Sequence, residues 1–296
     1  MTVHAPDHET TDPFDAQRAR LQGLAYRMLG SMADAEDIVQ EVWLRWAGLG
    51  ERGQSDVLRP AAWMTTVASR LALDRLKSAQ RTREEYIGPW LPEPVLTDGD
   101  PAMAVELAES LTIGFLAVLE RLAPVERAVF LLADVFAEPY SAIAPVVDRT
   151  EEACRQIASR ARRHVRKERQ QFQPEAARRD DLLDAFLAAC AFGQVDDLRR
   201  VLADDVVLVS DGGRDLHAAR RPVVGFDRVS RLLCNLTGRV PADSVIAHHE
   251  VNGEPGLVFS IGTRTTMVMV FEIRANRMCA IRLVMNPEKL SRVAHA

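Results

Sequence analysis

Apolar residues recur at helical spacing through roughly the first 170 positions and at strand spacing toward the C-terminus. Within residues 14–29, Phe14, Leu21, Leu24, Ala25, Met28 and Leu29 share one helix face, and Gly30 supplies a stop. A second helix is predicted over residues 34–47, with Ile38, Val39, Val42, Trp43 and Trp46 as its apolar stripe. A polar loop carrying Gly48, Gly50 and Gly53 should follow. Pro60 suits the first position of a helix reaching residue 79, with Ala61, Met64, Val67, Ala68, Leu71 and Leu76 toward a core. The periodicity stops over residues 82–101, where Trp90-Leu91-Pro92-Glu93-Pro94 and Asp98-Gly99-Asp100-Pro101 read as a linker. Helices are predicted again over residues 102–122, 124–136, 141–147 and 150–171, with a tight turn at Asp148 and Arg149. Pro145 removes one backbone hydrogen bond early in the third of these.

The last third changes period. Residues 180–192 and 195–202 read as helices, 206–209 as a strand ended by Asp211-Gly212-Gly213, and 226–236 as a helix. Strand-like runs over 244–251, 257–261, 265–273 and 278–285 then alternate with turns. Helices followed by such a meander predict a separate α+β unit, a helix-backed curved sheet. The division expected is a disordered tail over 1–12, helical domains over 13–83 and 105–172 joined by a linker over 84–104, and the α+β domain over 180–296.

The 296 residues, 47% hydrophobic and 27% charged, are enough for about two domains with real cores. No run approaches the ~18 to 20 apolar residues of a membrane span, and the polar, acidic N-terminus is not a signal peptide. A cytoplasmic protein with no membrane contact is expected. Cys154, Cys190, Cys234 and Cys279 lie far apart, so neither a zinc site nor a disulfide framework is indicated.

The net charge of −5 hides a sorted distribution. Residues 34–41 carry four acids and no base, and 59–83 carry six bases and one acid. Residues 84–120 carry eight acids and no base, and 149–169 carry eight bases and three acids. Two basic blocks separated by an acidic linker predict two separate contacts with a polyanion.

Residues 141–166 carry the strongest local pattern. On a helical wheel Thr150, Ala153, Cys154, Ile157, Ala161 and Val165 fall on one side. Glu152, Arg155, Gln156, Ser159, Arg162, Arg163 and Arg166 fall on the other. A short helix, a tight turn and a longer helix with this polar face describe a helix-turn-helix, in which Arg155 and Gln156 suit base readout and the later arginines suit phosphate. A merely solvated basic helix is the alternative.

With these pieces placed, residues 13–172 resemble bacterial sigma factors of the extracytoplasmic-function (ECF) group. Asp34-Ala35-Glu36-Asp37-Ile38-Val39-Gln40-Glu41-Val42-Trp43 is similar to the region 2 helix that docks on the clamp helices of the RNA polymerase β′ subunit. The resemblance implies core-polymerase contacts at Asp34, Glu36, Asp37, Gln40 and Glu41. An acidic face suits a basic partner helix, although acids there also complement the helix dipole. Arg59-Pro60-Ala61-Ala62-Trp63 through Arg75 is similar to the helix that melts and recognises the −10 element. This implies DNA contacts at Arg59, Trp63, Arg70, Arg75 and Lys77, one ring and several cations for unstacked bases. Trp63 serves equally well as a core tryptophan, and the loop over 48–56 is the better candidate for capturing a base. Residues 141–166 are similar to region 4, which reads the −35 element, with Thr150 among the contacts. The partners implied are core RNA polymerase, through its β′ clamp helices and β subunit, and promoter DNA.

From about Asp180 the chain resembles SnoaL-like domains of the NTF2 superfamily, α+β cones with a pocket. Trp90-Leu91-Pro92-Glu93-Pro94, Asp211-Gly212-Gly213 and Asn286-Pro287-Glu288-Lys289-Leu290 match the ECF group that carries this extension. There the extension acts in cis on sigma activity, and no separate anti-sigma factor is expected. Arg214-Asp215 stands where Gly-Lys usually follows the glycine pair, and Glu288 where Asp is commoner. Asn286 as cap and Pro287 at the first position predict a short helix. That helix would present Lys289 and Leu290 outward, toward the Trp90 ring, Leu91, Pro92, Pro94 and the acid Glu93. The expected fold is thus multi-domain: a region 2 helical bundle and a region 4 helix-turn-helix, both all-α, followed by an α+β NTF2-like cone.

Asp211, His217, His248 and His249 are the candidates for general acid–base work in such a cone. Strand alternation puts His248 and His249 on opposite faces. No nucleophile motif, phosphate loop or metal triad accompanies them, so no enzyme, cofactor or metal site is expected. A DNA-binding protein whose α+β domain senses a ligand, or acts as a cyclase or isomerase, is the alternative.

Overall fold

The computed structural model describes residues 12–84, 86, 88–98, 112–169, 179–191, 193, 195–214, 216 and 218–293. The expected tail up to residue 11, the start of the helix expected over 102–122 and His217 lie outside them.

Four helices open the chain: α1 (Arg18–Leu29), α2 (Met32–Gly48), α3 (Gly50–Asp56) and α4 (Pro60–Glu84). Gly30, at φ 68°, ends α1 and donates its N–H to Tyr26 O at 2.7 Å. The Ser31 hydroxyl then caps α2 by accepting from Asp34 N. Leu21, Leu24, Met28, Ile38, Val42, Trp46, Met64 and Ala68 interlock as the stripes predict. Two expectations change. Residues 50–56 are helical rather than a loop, and the Gln54 side chain ties this turn back to Trp46 O. Trp43 leaves the core and is 45% exposed, while Trp46 and Trp63 pack together at 5.6 Å between ring centroids.

The next set comprises α5 (Ile113–Leu119), α6 (Pro124–Phe130), α7 (Tyr140–Val147) and α8 (Glu151–Arg169). A π-helical turn, Leu131–Val135, extends α6, and Asp148 at φ 54° makes the tight turn between α7 and α8. Ile143, Cys154, Ala158, Ala161 and Val165 pack the helix-turn-helix onto α6. One continuous core joins both helical sets, from Phe14 to Val165. Buried Arg127 rivets them, donating to Leu119 O and to Met28 O at 2.8 Å each while paired with Glu120.

The C-terminal unit holds α9 (Arg179–Ala191), α10 (Val195–Val201), α11 (Phe226–Thr237) and six strands. These are β1 (Leu202–Asp211), β2 (Val223–Val224), β3 (Val245–Val251), β4 (Glu254–Ile261), β5 (Arg264–Arg274) and β6 (Arg277–Val284). The sheet order is β2-β1-β6-β5-β4-β3, with β1 parallel to β6 and the other pairs antiparallel. Register shifts in three of these pairings bend the sheet. Leu257, Phe259, Phe271 and Ile281 face the helices and pack with Leu198 of α10 and Val229 of α11. Val258, Val268, Val270 and Val284 face the other way and pack on Leu91, Ile113, Leu290 and Val293. Both faces are covered, so β4 is buried almost throughout instead of alternating. A short α12 (Pro287–Leu290) follows β6.

Candidate functional site

The first surface lies on α2. Asp34 and Asp37 both pair with Arg75 of α4, at 2.8 and 3.1 Å. Glu41 pairs with Arg45, and Glu36 with Arg292, at 2.6 Å, reaching over from beyond α12. A cleft of about 350 Å³ between α2 and α4 is lined by Asp37, Ile38, Gln40, Glu41, Leu44, Leu71 and Arg75. Trp43 and Leu44 stand beside it, 45% and 51% exposed. Exposed apolar side chains among exposed acids describe a protein-docking surface. Sequence reasoning missed both residues, although Leu44 falls off the stripe that buries Val39, Val42 and Trp46.

The second surface is divided between α4 and α8. Arg59, Arg70 and Lys77 are exposed, whereas Trp63 is half-buried against Trp46. Arg70 donates to Pro145 O of α7 at 3.0 Å, and Lys77 lies 3.7 Å from Asp74. Thr150 caps α8 by accepting from Ala153 N. Glu152, Gln156, Ser159, Arg163 and Arg166 are exposed along α8. Arg155 pairs with Glu151 over the Tyr140 ring. Arg162 is drawn back onto Asp134 at 2.7 Å and onto the Tyr140 hydroxyl.

The third region is a joint where the linker, β1 and α12 meet. Buried Asp211, at the end of β1, accepts from Tyr86 Oη (2.5 Å), Leu91 N (2.8 Å), Gly213 N (3.1 Å) and Lys289 Nζ (2.7 Å). Lys289 also donates to Leu91 O and lies 3.9 Å from the Trp90 ring centroid. Asn286 caps α12 by accepting from Glu288 N and donates Nδ2 to Tyr86 Oη. Leu290 is buried with Leu91. Lys289 and Leu290 therefore meet Trp90 and Leu91 of the linker, and the acidic partner of Lys289 is Asp211 rather than Glu93. Glu93 is already committed: its Oε2 accepts from Met32 N at 2.8 Å at the start of α2. Burial pushes the Glu93 carboxyl up, and burial with the neighbouring Asp211 pushes the Tyr86 phenol up.

The linker is bonded on both sides. Glu93 N donates to Gly30 O, and Tyr26 Oη donates to Glu93 O. Val95 and Asn252 exchange two bonds, Val95 N to Asn252 Oδ1 and Asn252 N to Val95 O. Asn252 Nδ2 donates on to Tyr26 Oη at 2.8 Å. Pro92 and Pro94 are buried here without leaving any N–H unsatisfied. Gly30 permits the arrangement, since a Cβ would run into the Trp90 ring.

Beneath the sheet a second buried cluster abuts α5. Arg282 pairs with Glu272 at 2.9 Å and lies 3.9 Å from Glu254. Glu254 Oε2 accepts from Ile113 N at 2.9 Å. Burial pushes the Glu254 carboxyl up to about 7, against the pull of Arg282. A cavity of about 740 Å³ opens between this face and the helical half, lined among others by Leu76, Trp90, Arg121, Val209, Pro222 and Arg274.

The acid–base candidates are scattered. β1 and β3 are separated by three strands, which places Asp211 on the order of 19 Å from His248 and His249. His248 faces Asp184 of α9 at 3.2 Å, and His249 faces Asp98 of the linker at 2.9 Å. Among the described residues no group of three His, Cys, Asp or Glu is placed to hold a metal ion. No helix among them is long and apolar enough to cross a membrane.

Comparison with known proteins supplies the frame for these surfaces. Residues 14–82 match the family model Sigma-70 region 2, and residues 114–165 match Sigma-70, region 4. The ECF RNA polymerase sigma factor SigJ of Mycobacterium tuberculosis is 38% identical, covering 94% of this chain and 92% of that protein. SigI of the same organism is 34% identical, covering 98% of this chain and 97% of its own length. The crystal structure of M. tuberculosis SigJ matches at a TM-score of 0.75 and 36% identity, over 94% of this chain and 97% of that one. Relatives of this kind match over nearly the whole chain, both sigma regions and the appended sheet included, and the protein belongs to the extracytoplasmic-function family of RNA polymerase sigma factors.

Proposed function

We propose that the chain binds core RNA polymerase through Asp34, Glu36, Asp37, Gln40 and Glu41, with Trp43 and Leu44 completing the surface. Arg59, Trp63, Arg70, Arg75 and Lys77 serve the −10 element. Thr150, Glu152, Arg155, Gln156, Ser159, Arg162, Arg163 and Arg166 serve the −35 element. The α+β domain regulates the other two in cis, does no catalysis and replaces a separate anti-sigma factor; the protein acts in the cytoplasm. The observation that carries the regulatory reading is the joint of Asp211, Lys289, Tyr86 and Trp90. Through it the domain grips the one segment that joins the two helical sets. In the same arrangement α4 touches α7 through Arg70 and Pro145 O, so the −10 helix is held against the helix-turn-helix. Promoter engagement at two separated elements requires that contact to open.

Reconstitution with core polymerase tests the reading. Reversing Asp37 and Glu41 to Lys sets like charge against a basic partner and should abolish co-purification with core enzyme while leaving the fold intact. Removing residues 286–296 should change promoter-dependent transcription at matched concentration. Undiminished co-purification counts against the α2 assignment, and equal transcription counts against regulation through the joint.

A further inference from the structure

Residues 214–239 carry six arginines, Arg214, Arg220, Arg221, Arg228, Arg231 and Arg239, against the two acids Asp215 and Asp227. The remainder of residues 173–296 holds ten bases and fourteen acids, so this one stretch concentrates the positive charge of the domain. All six arginines are exposed. Among the described residues none of the six has a carboxylate partner, and Asp227 lies 3.7 Å from Arg199 instead. Arg228 and Arg231 stand on the outer side of α11, which covers the sheet face turned away from the helical half, whereas Arg220 and Arg221 lie on the loop before β2. Arg220 packs its backbone against Gly88, just beyond the end of α4. Pro222 and Leu76 line the same cavity, which puts the loop across from the part of α4 that carries Arg75 and Lys77.

Exposed like charges that are left unpaired repel one another and oppose compaction. A polyanion removes that cost, and guanidinium groups pair with phosphate oxygens in bidentate fashion. Phe226, the one Phe, Tyr or Trp of the stretch, is buried, so none of these rings is exposed among the arginines for base stacking. The surface therefore suits a duplex backbone rather than unstacked bases. We propose that the α+β domain supplies a third DNA contact, Arg220 and Arg221 holding the phosphate backbone of duplex promoter DNA in continuation of α4. The proposal rests on the reading of α4 as the −10 helix. A basic face beside that helix extends the same DNA track, whereas the polymerase-docking surface on α2 is acidic.

Backbone contacts are independent of sequence, so the probe is a fluorescein-labelled duplex of about 40 base pairs and arbitrary sequence, titrated with the full chain from ~50 to ~200 mM salt. Each phosphate that the protein no longer neutralises lowers the slope of log K against log salt by about 0.9. Arg220→Ala with Arg221→Ala should lower the slope by about 2, and Arg220→Glu with Arg221→Glu by more, with the thermal melt unchanged. An unchanged slope in both variants overturns the proposal, as does a parent chain whose slope is already near zero. Loss of core-polymerase binding with an unchanged DNA slope assigns the face to the polymerase and overturns it equally. Lys77→Ala is the separate arm for α4. If it leaves the slope intact while the arginine variants lower it, the α4 reading fails and the third contact stands.

Discussion

Arg75 with Asp34 and Asp37 on the α2 face, and Arg282 with Glu272 and Glu254 under the sheet, are the same chemistry in two surroundings. The first cluster is exposed, with Arg75 at 42%. The second is buried, with all three side chains near 5%. An exposed pair contributes about 0 to 1 kcal/mol and can exchange its partner for another protein at little cost. A buried pair has already lost its water, so removing one member leaves a charge with nothing to replace it. The difference separates surfaces built to be released from a joint built to hold. The α2 acids that we propose for polymerase docking keep exposed intramolecular partners, while the charges that dock the sheet on the helices are sealed in.

The largest test of that contrast is Arg282→Met, which leaves Glu272 and Glu254 with only the half-exposed Arg274, 3.9 Å from Glu272. A loss of about 3 to 5 kcal/mol in urea unfolding is expected. A loss below about 1 kcal/mol would place this cluster with the exposed ones.

A smaller effect, and a sharper one, comes from pH. Burial raises the Glu254 carboxyl from an ordinary 4.5 to about 7, so the folded state binds the proton more tightly than the unfolded chain. The contribution of this group is fully present below pH 4.5 and is lost as the pH rises to about 7. Glu254→Gln should remove that part of the pH dependence. If parent and variant lose stability in parallel between those pH values, Glu254 is not the titrating group.

The smallest effect is expected from Arg75→Ala, which should cost less than about 1 kcal/mol in the same unfolding experiment. A cost as large as that of Arg282→Met would erase the contrast.

The helices were legible because their apolar residues recur at the spacing that burial requires. Ile38, Val39, Val42 and Trp46 on α2, and Cys154, Ile157, Ala161 and Val165 on α8, are buried as read. Trp43 was not legible, because it sits at the edge of the stripe, about 80° round the helix from its centre, where an apolar residue can fall on either side. The buried charges were hidden for a different reason. Glu272 and Arg282 lie ten residues apart, and only the pairing of Val270 with Arg282 and of Glu272 with Ala280 makes them diagonal neighbours. Glu254, followed by Pro255 and Gly256, reads as turn, yet it begins a strand because α5 offers it the N–H of Ile113. The Asn286 cap was plain in the sequence. The partner of Lys289 was not, since Glu93 and Asp211 are both acids and only the fold commits Glu93 to α2.

The central claim is that the C-terminal domain, through the joint at Lys289, keeps the two helical sets docked. Single-molecule energy transfer between dyes at Ser55→Cys on α3 and Arg163→Cys on α8 measures this directly. Cys234→Ser removes the half-exposed native thiol, the other three cysteines being buried. The parent chain should show one narrow, high-efficiency population, and Lys289→Ala should broaden it and shift it toward lower efficiency. Identical distributions for the two chains would contradict the account.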